Sequence, residues 1–126
     1  MVYIRYRGRW FCPSCHNKKV VQFDRPVTHH PDTGTELASF NVPRWSEFVI
    51  LASQCYSITH LGYLGVDIVL DKVRRPMVLE LNARPGLAIQ VASGIGLQPR
   101  IELIDREDQV TRNEEERAAF SMKQFA

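Results

Sequence analysis

Hydrophobic and polar residues alternate along two neighbouring stretches in the second half of the chain. Residues 66–71 read V-D-I-V-L-D and residues 77–82 read M-V-L-E-L-N, with K-V-R-R-P between them. A period of two is typical of half-buried β-strands, because successive side chains lie on opposite faces. The pattern predicts an antiparallel hairpin joined by a short loop.

The length of that loop sets the cross-strand register. With a four-residue loop at 72–75, Asp67 lies opposite Glu80. Asn82 follows Glu80 by two residues and therefore shares its face. The opposite face, which we expect to be core, consists of Val66, Ile68, Leu70, Met77, Leu79 and Leu81.

Apolar residues at spacings of three and four predict helices elsewhere. One such pattern covers residues 44–59, where Pro43 suits a helix start, and its apolar face is expected to pack on the hairpin. Cys55 lies on that face and is therefore expected to be a core thiol. Near the C-terminus, Asn113 followed three residues later by Glu116 is typical of a capping box and predicts a second helix.

The remaining stretches are shorter. Residues 18–23 form a β-prone run that is expected to pair with the hairpin, whereas residues 25–34 contain Pro26, Pro31 and Gly34 and are expected to form a loop. Residues 87–92 suit a short helix, and residues 100–105 suit a strand end or a helical turn. These elements predict an α+β fold, a small antiparallel sheet covered by helices, with the polar face of the sheet left open.

Two carboxylates face each other in the predicted hairpin. The Cβ atoms of Asp67 and Glu80 would lie about 5 Å apart, and repulsion at that distance favours a bound cation or a shared proton. Together with the amide oxygen of Asn82 they form a set of hard oxygen ligands. Such a set suits Mg²⁺, which fills its other positions with water and phosphate. The alternative is the solvated polar face of an ordinary hairpin.

The segment after Asn82 adds a positive charge. Arg84 carries a permanently charged, planar guanidinium group that matches phosphate or carboxylate. The predicted helix at 87–92 would begin near the same face and direct its positive end toward an anion. An anionic ligand is therefore expected here.

These motifs resemble those of a known superfamily. The run G-V-D-I-V-L-D, followed by E-L-N-A-R-P-G, is similar to the C-terminal metal-binding part of ATP-grasp ligases. The longer runs L-G-Y-L-G-V-D-I-V-L-D and N-A-R-P-G-L-A-I-Q most resemble the alpha-L-glutamate ligase-like proteins, relatives of the ligase that adds glutamate to a ribosomal protein. The resemblance extends from about residue 24 to the C-terminus and implies the C-terminal lobe of an ATP-grasp domain.

The resemblance implies an activity and the residues that carry it. The expected reaction is the ATP-dependent joining of a carboxylate to an amine through an acyl phosphate. Asp67, Glu80 and Asn82 would bind magnesium, with manganese as an alternative. Arg84 would take a catalytic role by contacting phosphate or the substrate carboxylate.

The loop at 25–34 approaches the active site in the resembling family. Arg25, His29 and His30 are therefore candidate contacts for the nucleotide or the substrate. An ordinary connecting loop with solvated histidines is the alternative.

The resemblance also divides the chain. Residues 1–22 do not resemble the family, so we expect a divergent N-terminal segment followed by an ATP-grasp-like domain at 23–126. The upstream lobe that clamps the nucleotide in ATP-grasp enzymes would come from a second chain or from the rest of a larger enzyme. An incomplete lobe exposes surface, which favours a homodimer. It also leaves open a catalytically inactive remnant.

Length and composition limit the class of protein to which the chain can belong. With 126 residues, 44% of them hydrophobic, the chain is expected to form one domain at most and is long enough for a core of its own. No apolar run approaches the roughly 20 residues that span a membrane, and no signal-peptide pattern opens the chain, which predicts a soluble, cytoplasmic protein. Arg5, Arg7 and Arg9, interleaved with aromatic residues, are expected to form a polar strand or an arm rather than a nucleic-acid surface.

Three cysteines are too few for a disulfide scaffold. Cys12, Cys15 and His16 form a C-x-x-C-H motif. Haem attachment would require export, a zinc site would require further ligands, and a redox pair would require a thioredoxin-like pattern around it. The alternative is two reduced cysteines in a turn at Pro13. The zinc interpretation adds a third candidate function, a small zinc-bearing interaction module.

Overall fold

The computed structural model of the protein describes residues 2–6, 9–11, 20–22, 25–29, 34, 36, 42–73, 75–87, 96–107 and 112–125, with the backbone alone up to residue 26. The strands are β1 (Val2–Tyr6), β2 (Arg9–Phe11), β3 (Val20–Gln22), β4 (Arg25–Val27), β5 (Leu64–Leu70) and β6 (Pro76–Asn82). The helices are α1 (Trp45–Thr59), α2 (Gln98–Asp105) and α3 (Glu114–Gln124). The predicted α+β class is confirmed. The C-x-x-C-H motif, His30 and residues 88–92 of the predicted short helix lie outside the described residues.

The main sheet has four strands in the order β2-β1-β5-β6. The β5–β6 pair is the predicted antiparallel hairpin. β1 is antiparallel to β2 but parallel to β5, with Arg5 in register with Asp67. The sheet is therefore mixed, because the N-terminal arginine-rich stretch joins it as a parallel strand.

A separate two-stranded sheet contains β3 and β4. The β-prone run at 18–23 thus contributes a strand, but this strand pairs with β4 and not with the hairpin. The prediction of a loop over residues 25–34 is wrong at its start, where Arg25–Val27 forms β4. Proline is accepted in edge strands, and β4 is an edge strand of its own small sheet, which explains how Pro26 fits.

The register of the hairpin changes along its length. Asp67 pairs with Glu80, as predicted, but Ile68 pairs with Val78, so that Leu79 is skipped. An extra residue on one strand is a β-bulge. The hairpin loop holds five residues, 71–75, rather than the predicted four, and this shifts the pairing next to the loop by one residue. The bulge at Leu79 reverses the shift, so that Asp67 still pairs with Glu80.

The bulge changes which residues of β6 are buried. On β5 the predicted core positions Val66 and Ile68 are fully buried, which confirms that half of the prediction. On β6 the prediction is wrong, because Met77 is 52% exposed, Leu79 is 69% exposed and Leu81 is 38% exposed. Val78, which was expected on the polar face, packs against the core instead.

Asp71 organises the hairpin loop. Its Oδ1 accepts hydrogen bonds from the backbone N–H groups of Val73 at 2.9 Å and Arg75 at 2.8 Å. Its Oδ2 accepts a hydrogen bond from Nε of Arg75 at 3.0 Å. The backbone N–H of Arg75, assisted by its guanidinium, holds the pKa of the Asp71 carboxyl below its usual value of 3.8.

This lowered pKa predicts a pH-dependent contribution of Asp71 to stability. A group whose pKa is depressed in the folded state stabilises the protein above its unfolded pKa, and the contribution is lost as the pH falls through the folded pKa. The parent should therefore be more stable than Asp71→Asn at about pH 6, and the gap should close well below pH 3.8. Urea unfolding of both proteins at each pH measures the gap, and a gap that stays constant would contradict the prediction.

α1 covers the apolar face of the main sheet. The core contains the buried residues Val42, Phe48, Val49, Ala52, Cys55, Leu64, Val66, Ile68 and Ala118. The observed bounds of α1 agree with the helix predicted at 44–59. Cys55 is a core thiol, as expected, and burial raises its pKa. The core therefore lies between α1 and β5.

α3 begins with the predicted capping box. Oδ1 of Asn113 accepts a hydrogen bond from the backbone N–H of Glu116 at 2.8 Å, and the Glu116 carboxylate accepts one from the backbone N–H of Asn113 at 3.0 Å. Arg117 of α3 donates from Nε to the Ser53 hydroxyl of α1 at 3.1 Å and lies over the Tyr56 ring. These contacts hold α3 against the outer side of α1.

The stretch at 100–105, which was predicted as either a strand end or a helical turn, belongs to helix α2.

Within the ranges that the structure describes, no helix has the length and apolar character needed to cross a membrane.

Candidate metal and phosphate site

The candidate site lies on the face of the hairpin opposite the core. Asp67 on β5 pairs directly with Glu80 on β6, and Gly65 pairs with Asn82 one step further along the same face. Asp67 is partly buried, whereas Glu80 and Asn82 are exposed. The structure thus brings together the predicted pair of carboxylates and places the predicted amide next to them.

The turn that follows β6 is held by Asn82. Its Oδ1 accepts a hydrogen bond from the backbone N–H of Arg84 at 2.9 Å, the pattern of an Asx turn. An amide oxygen has two lone pairs, so one remains for a cation on the open face. Asn82 can therefore shape the turn and serve as a ligand at the same time, and Arg84, which is exposed, follows directly from the turn.

Gly65 lets the turn fold back over the sheet. A Cβ atom placed on Gly65 would lie 3.2 Å from Cβ of Pro85, closer than side-chain carbons normally approach, and 3.4 Å from Cβ of Asn82. Pro85 is buried at this contact. Gly65 is two residues from Asp67 on the same strand, so the space left by its missing side chain admits Pro85 and the turn at residues 83–86 beside the carboxylate pair.

The Gly65–Pro85 contact predicts the effect of adding one methyl group. We expect Gly65→Ala to displace the turn and to destabilise the fold by about 1 kcal/mol, at the low end of the cost of overpacking. Gly62→Ala is the matched control, because a Cβ at Gly62 meets nothing within 4 Å. Urea unfolding measures stability, and amide chemical shifts of residues 83–86 report the turn. A Gly65→Ala protein with the stability and shifts of the control would contradict the close contact.

The donor set fits a magnesium ion. Two carboxylates in cross-strand register and one amide oxygen are hard ligands, and their open face leaves room for water and phosphate. Among the described residues, no group of three or more histidine, cysteine, aspartate and glutamate side chains is placed to hold a metal. A site here therefore depends on two carboxylates with an amide, and on oxygen atoms from the ligand.

The predicted loop residues lie in a different part of the chain. His29 is exposed, its Nδ1 lies 3.0 Å from the hydroxyl of Thr28, and its backbone forms an isolated bridge with Glu36. Arg25 is the first residue of β4, where the description covers the backbone alone. His30 lies outside the described residues. The role of these three residues at the site stays a prediction.

Two features of the site were missed by sequence reasoning. The first is the Gly65–Pro85 contact, which joins residues twenty positions apart and has no local signal beyond the residue types. The second is Arg5, whose place in register with Asp67 depends on a parallel pairing over a long stretch of chain. The alternation of arginine with other residues in the N-terminal stretch was the available signal for a strand.

Comparison with known families identifies the class of protein. Residues 2–106 match an ATP-grasp family model, so the ATP-grasp relationship predicted from the Asp67 and Glu80 motifs is confirmed. The chain belongs to the sugar-transfer associated ATP-grasp family, which is the description that this model carries. Membership implies binding of ATP with a divalent cation and a ligase-like function in general. No curated protein and no solved structure matches the chain.

Proposed function

We propose that this chain is the metal- and phosphate-binding part of an ATP-dependent ligase that joins a carboxylate to an amine through an acyl phosphate. The observation that carries the proposal is the direct pairing of Asp67 with Glu80 on an open sheet face, next to Asn82 and the turn that leads to Arg84. Family membership supports the binding of ATP. The geometry of the hairpin supports the choice of Asp67, Glu80 and Asn82 as the residues that would hold the metal.

Asp67, Glu80 and Asn82 would hold Mg²⁺, with Mn²⁺ as the alternative. When bound, the metal supplies neutralisation and alignment of the terminal phosphates of ATP. Asp67 and Glu80 contribute fixed negative charge, and Asn82 contributes an oxygen whose position is set by its hydrogen bond to Arg84. The ligands are therefore preorganised by the strand register and the turn.

Arg84 would act on the reacting groups. A substrate carboxylate oxygen attacks the γ-phosphorus, the bond from that phosphorus to the bridging oxygen breaks, and ADP leaves. The amine then attacks the carbonyl carbon of the acyl phosphate, loses a proton, and releases inorganic phosphate as the amide forms. The guanidinium of Arg84 would stabilise the transferring phosphoryl group or hold the substrate carboxylate. Arg25, His29 and His30 complete the proposed contacts to nucleotide or substrate.

The identity of the carboxylate substrate is a more specific part of the proposal. The resemblance to the alpha-L-glutamate ligase-like proteins points to glutamate. The family description, sugar-transfer associated, makes an amine or carboxyl group on a sugar the other candidate. A second chain or a second copy would supply the lobe that clamps the nucleotide against residues 23–126. A cytoplasmic location belongs to the same proposal, because ATP is available there.

A second candidate function is nucleotide binding without catalysis, as in a remnant of a ligase. The openness of the site favours it, because Glu80, Asn82 and Arg84 are all exposed. Phosphoryl transfer is favoured where water is excluded. The zinc-bearing module remains a prediction, since its cysteines lie outside the described residues.

Trapping the acyl phosphate separates these functions. The purified chain is incubated with ATP, Mg²⁺, hydroxylamine and either glutamate or a sugar acid, and hydroxamate and ADP are measured. The ligase proposal predicts that both products form in equal amounts and that neither forms with Asp67→Asn. ATP that binds without yielding ADP or hydroxamate would overturn catalysis by this chain without a partner that supplies the second lobe, and would favour the binding function.

A further inference from the structure

Arg5 occupies a register position in the same cross-sheet row as the two candidate metal ligands. Arg5 on β1 is in register with Asp67 on β5, and Asp67 is in register with Glu80 on β6. Residues in register on neighbouring strands occupy one face of the sheet, and the strands are about 4.8 Å apart. The row therefore contains one permanent positive charge and two carboxylates.

The charge of Arg5 changes what this row can bind. Two ionised carboxylates alone carry a charge of −2, which attracts a divalent cation and repels a nucleotide. With Arg5 the row carries −1 in total, which weakens the attraction for a free cation. A polyphosphate, in contrast, gains a permanent cation as a neighbour. The same arginine thus acts in opposite directions on the two components of a metal–nucleotide complex.

We propose that Arg5 balances the charge of the Asp67–Glu80 pair before the ligand arrives and so makes cation binding depend on the nucleotide. The pair binds a divalent cation weakly alone and strongly together with ATP, whose negative phosphates offset the positive charge of Arg5. The inference rests on the proposed role of Asp67 and Glu80 as metal ligands. It adds a positioning residue from the N-terminal strand, and it assigns an order to the binding of metal and nucleotide.

The neighbouring arginine provides a matched control. Arg9 on β2 is in register with Tyr6, one position beyond Arg5 on β1 and therefore on the alternate face. Replacing Arg9 removes the same charge from the same sheet, but from a different row. If only the substitution of Arg5 changes Mn²⁺ binding, the effect depends on the position of Arg5 in the row and not on the net charge of the protein.

Binding of Mn²⁺, measured by the loss of its free-ion electron paramagnetic resonance signal, tests the proposal, because Mn²⁺ shares the oxygen-ligand preference of Mg²⁺. Without nucleotide, Arg5→Gln should bind Mn²⁺ roughly tenfold more tightly than the parent. Arg9→Gln and the charge-preserving Arg5→Lys should bind like the parent. Adding Glu80→Gln to Arg5→Gln should remove the gain. ATP should tighten Mn²⁺ binding strongly in the parent and less in Arg5→Gln.

The outcomes separate this inference from the proposed function. If the parent binds Mn²⁺ in the presence of ATP but Arg5→Gln and the parent have equal affinity without it, the role of Arg5 is overturned and the metal site stands. If no variant binds Mn²⁺ even with ATP, the proposed metal site fails, and the inference fails with it. Arg5→Val, which suits a strand, replaces Arg5→Gln should that variant fail to fold, with the same expected gain.

Discussion

Replacing Glu80 with glutamine should weaken Mg²⁺-dependent ATP binding by at least about a hundredfold while leaving the fold intact. Loss of a residue that only orients a metal ligand already costs 10- to 100-fold in many sites, and the loss of a ligand itself should cost more. Glutamine keeps the size of the side chain but replaces a charged oxygen by an amide. Glu80 is exposed and paired with Asp67, so the substitution removes charge without opening a cavity. Titration calorimetry with ATP and excess Mg²⁺ measures the loss.

Glu115→Gln is the control for this experiment. Glu115 is an exposed glutamate in the first turn of α3, so its replacement makes the same chemical change away from the hairpin. Its ATP affinity should equal that of the parent. Retained affinity in a folded Glu80→Gln protein would rule out Glu80 as a metal ligand.

Replacing Phe48 with alanine should lower the free energy of unfolding by about 3–5 kcal/mol. Phe48 is fully buried where α1 meets the sheet, and its ring stacks on Trp45 with centroids 6.1 Å apart. Truncation loses the buried apolar surface and leaves a cavity that the helix and the sheet cannot fully close. The midpoint of urea unfolding, with the slope held in common, measures the change.

A residue on the outer side of the same helix supplies the comparison. Ile58 is 77% exposed, and Ile58→Ala should change stability by no more than about 0.5 kcal/mol. Equal effects of the two substitutions would mean that the core does not lie between α1 and β5.

The hairpin shows what a local pattern can predict. The alternation of apolar and polar residues around Asp67 and Glu80 was sufficient to pair them, since the period of two fixes which side chains share a face. It did not predict the bulge at Leu79. The bulge depends on the loop, where Asp71 binds the backbone of Val73 and Arg75 and closes five residues instead of four. Because the loop is one residue longer than predicted, Met77 lies on the polar face and Val78 lies on the core face, the reverse of the prediction.

The helices were predictable for a similar local reason. Apolar residues at spacings of three and four, together with Pro43 at the start, predicted α1, and the Asn113–Glu116 capping box predicted α3. Both signals lie within a few residues of the element that they define. In both helices the local sequence signal and the packing against the rest of the protein favour the same structure.

The parallel pairing of β1 with β5 could not be predicted in this way. The two strands are separated by about sixty residues, and a parallel partner leaves no turn signal between them. The arginine-rich stretch therefore suggested a polar strand or an arm with no defined neighbour. The structure gives that strand a position beside the candidate site, and with it the role proposed for Arg5.

Thermal unfolding of the parent protein with ATP, in the presence of Mg²⁺ or of a chelator, tests the central claim most directly. A ligand that binds the folded state alone at about 100 times its dissociation constant adds about 2.7 kcal/mol of stability. For a domain of 126 residues this raises the melting temperature by several degrees. We predict that ATP produces the rise with Mg²⁺ and no rise with the chelator. An equal melting temperature in both conditions, or a rise that does not require the metal, would contradict a metal-dependent nucleotide site on this hairpin.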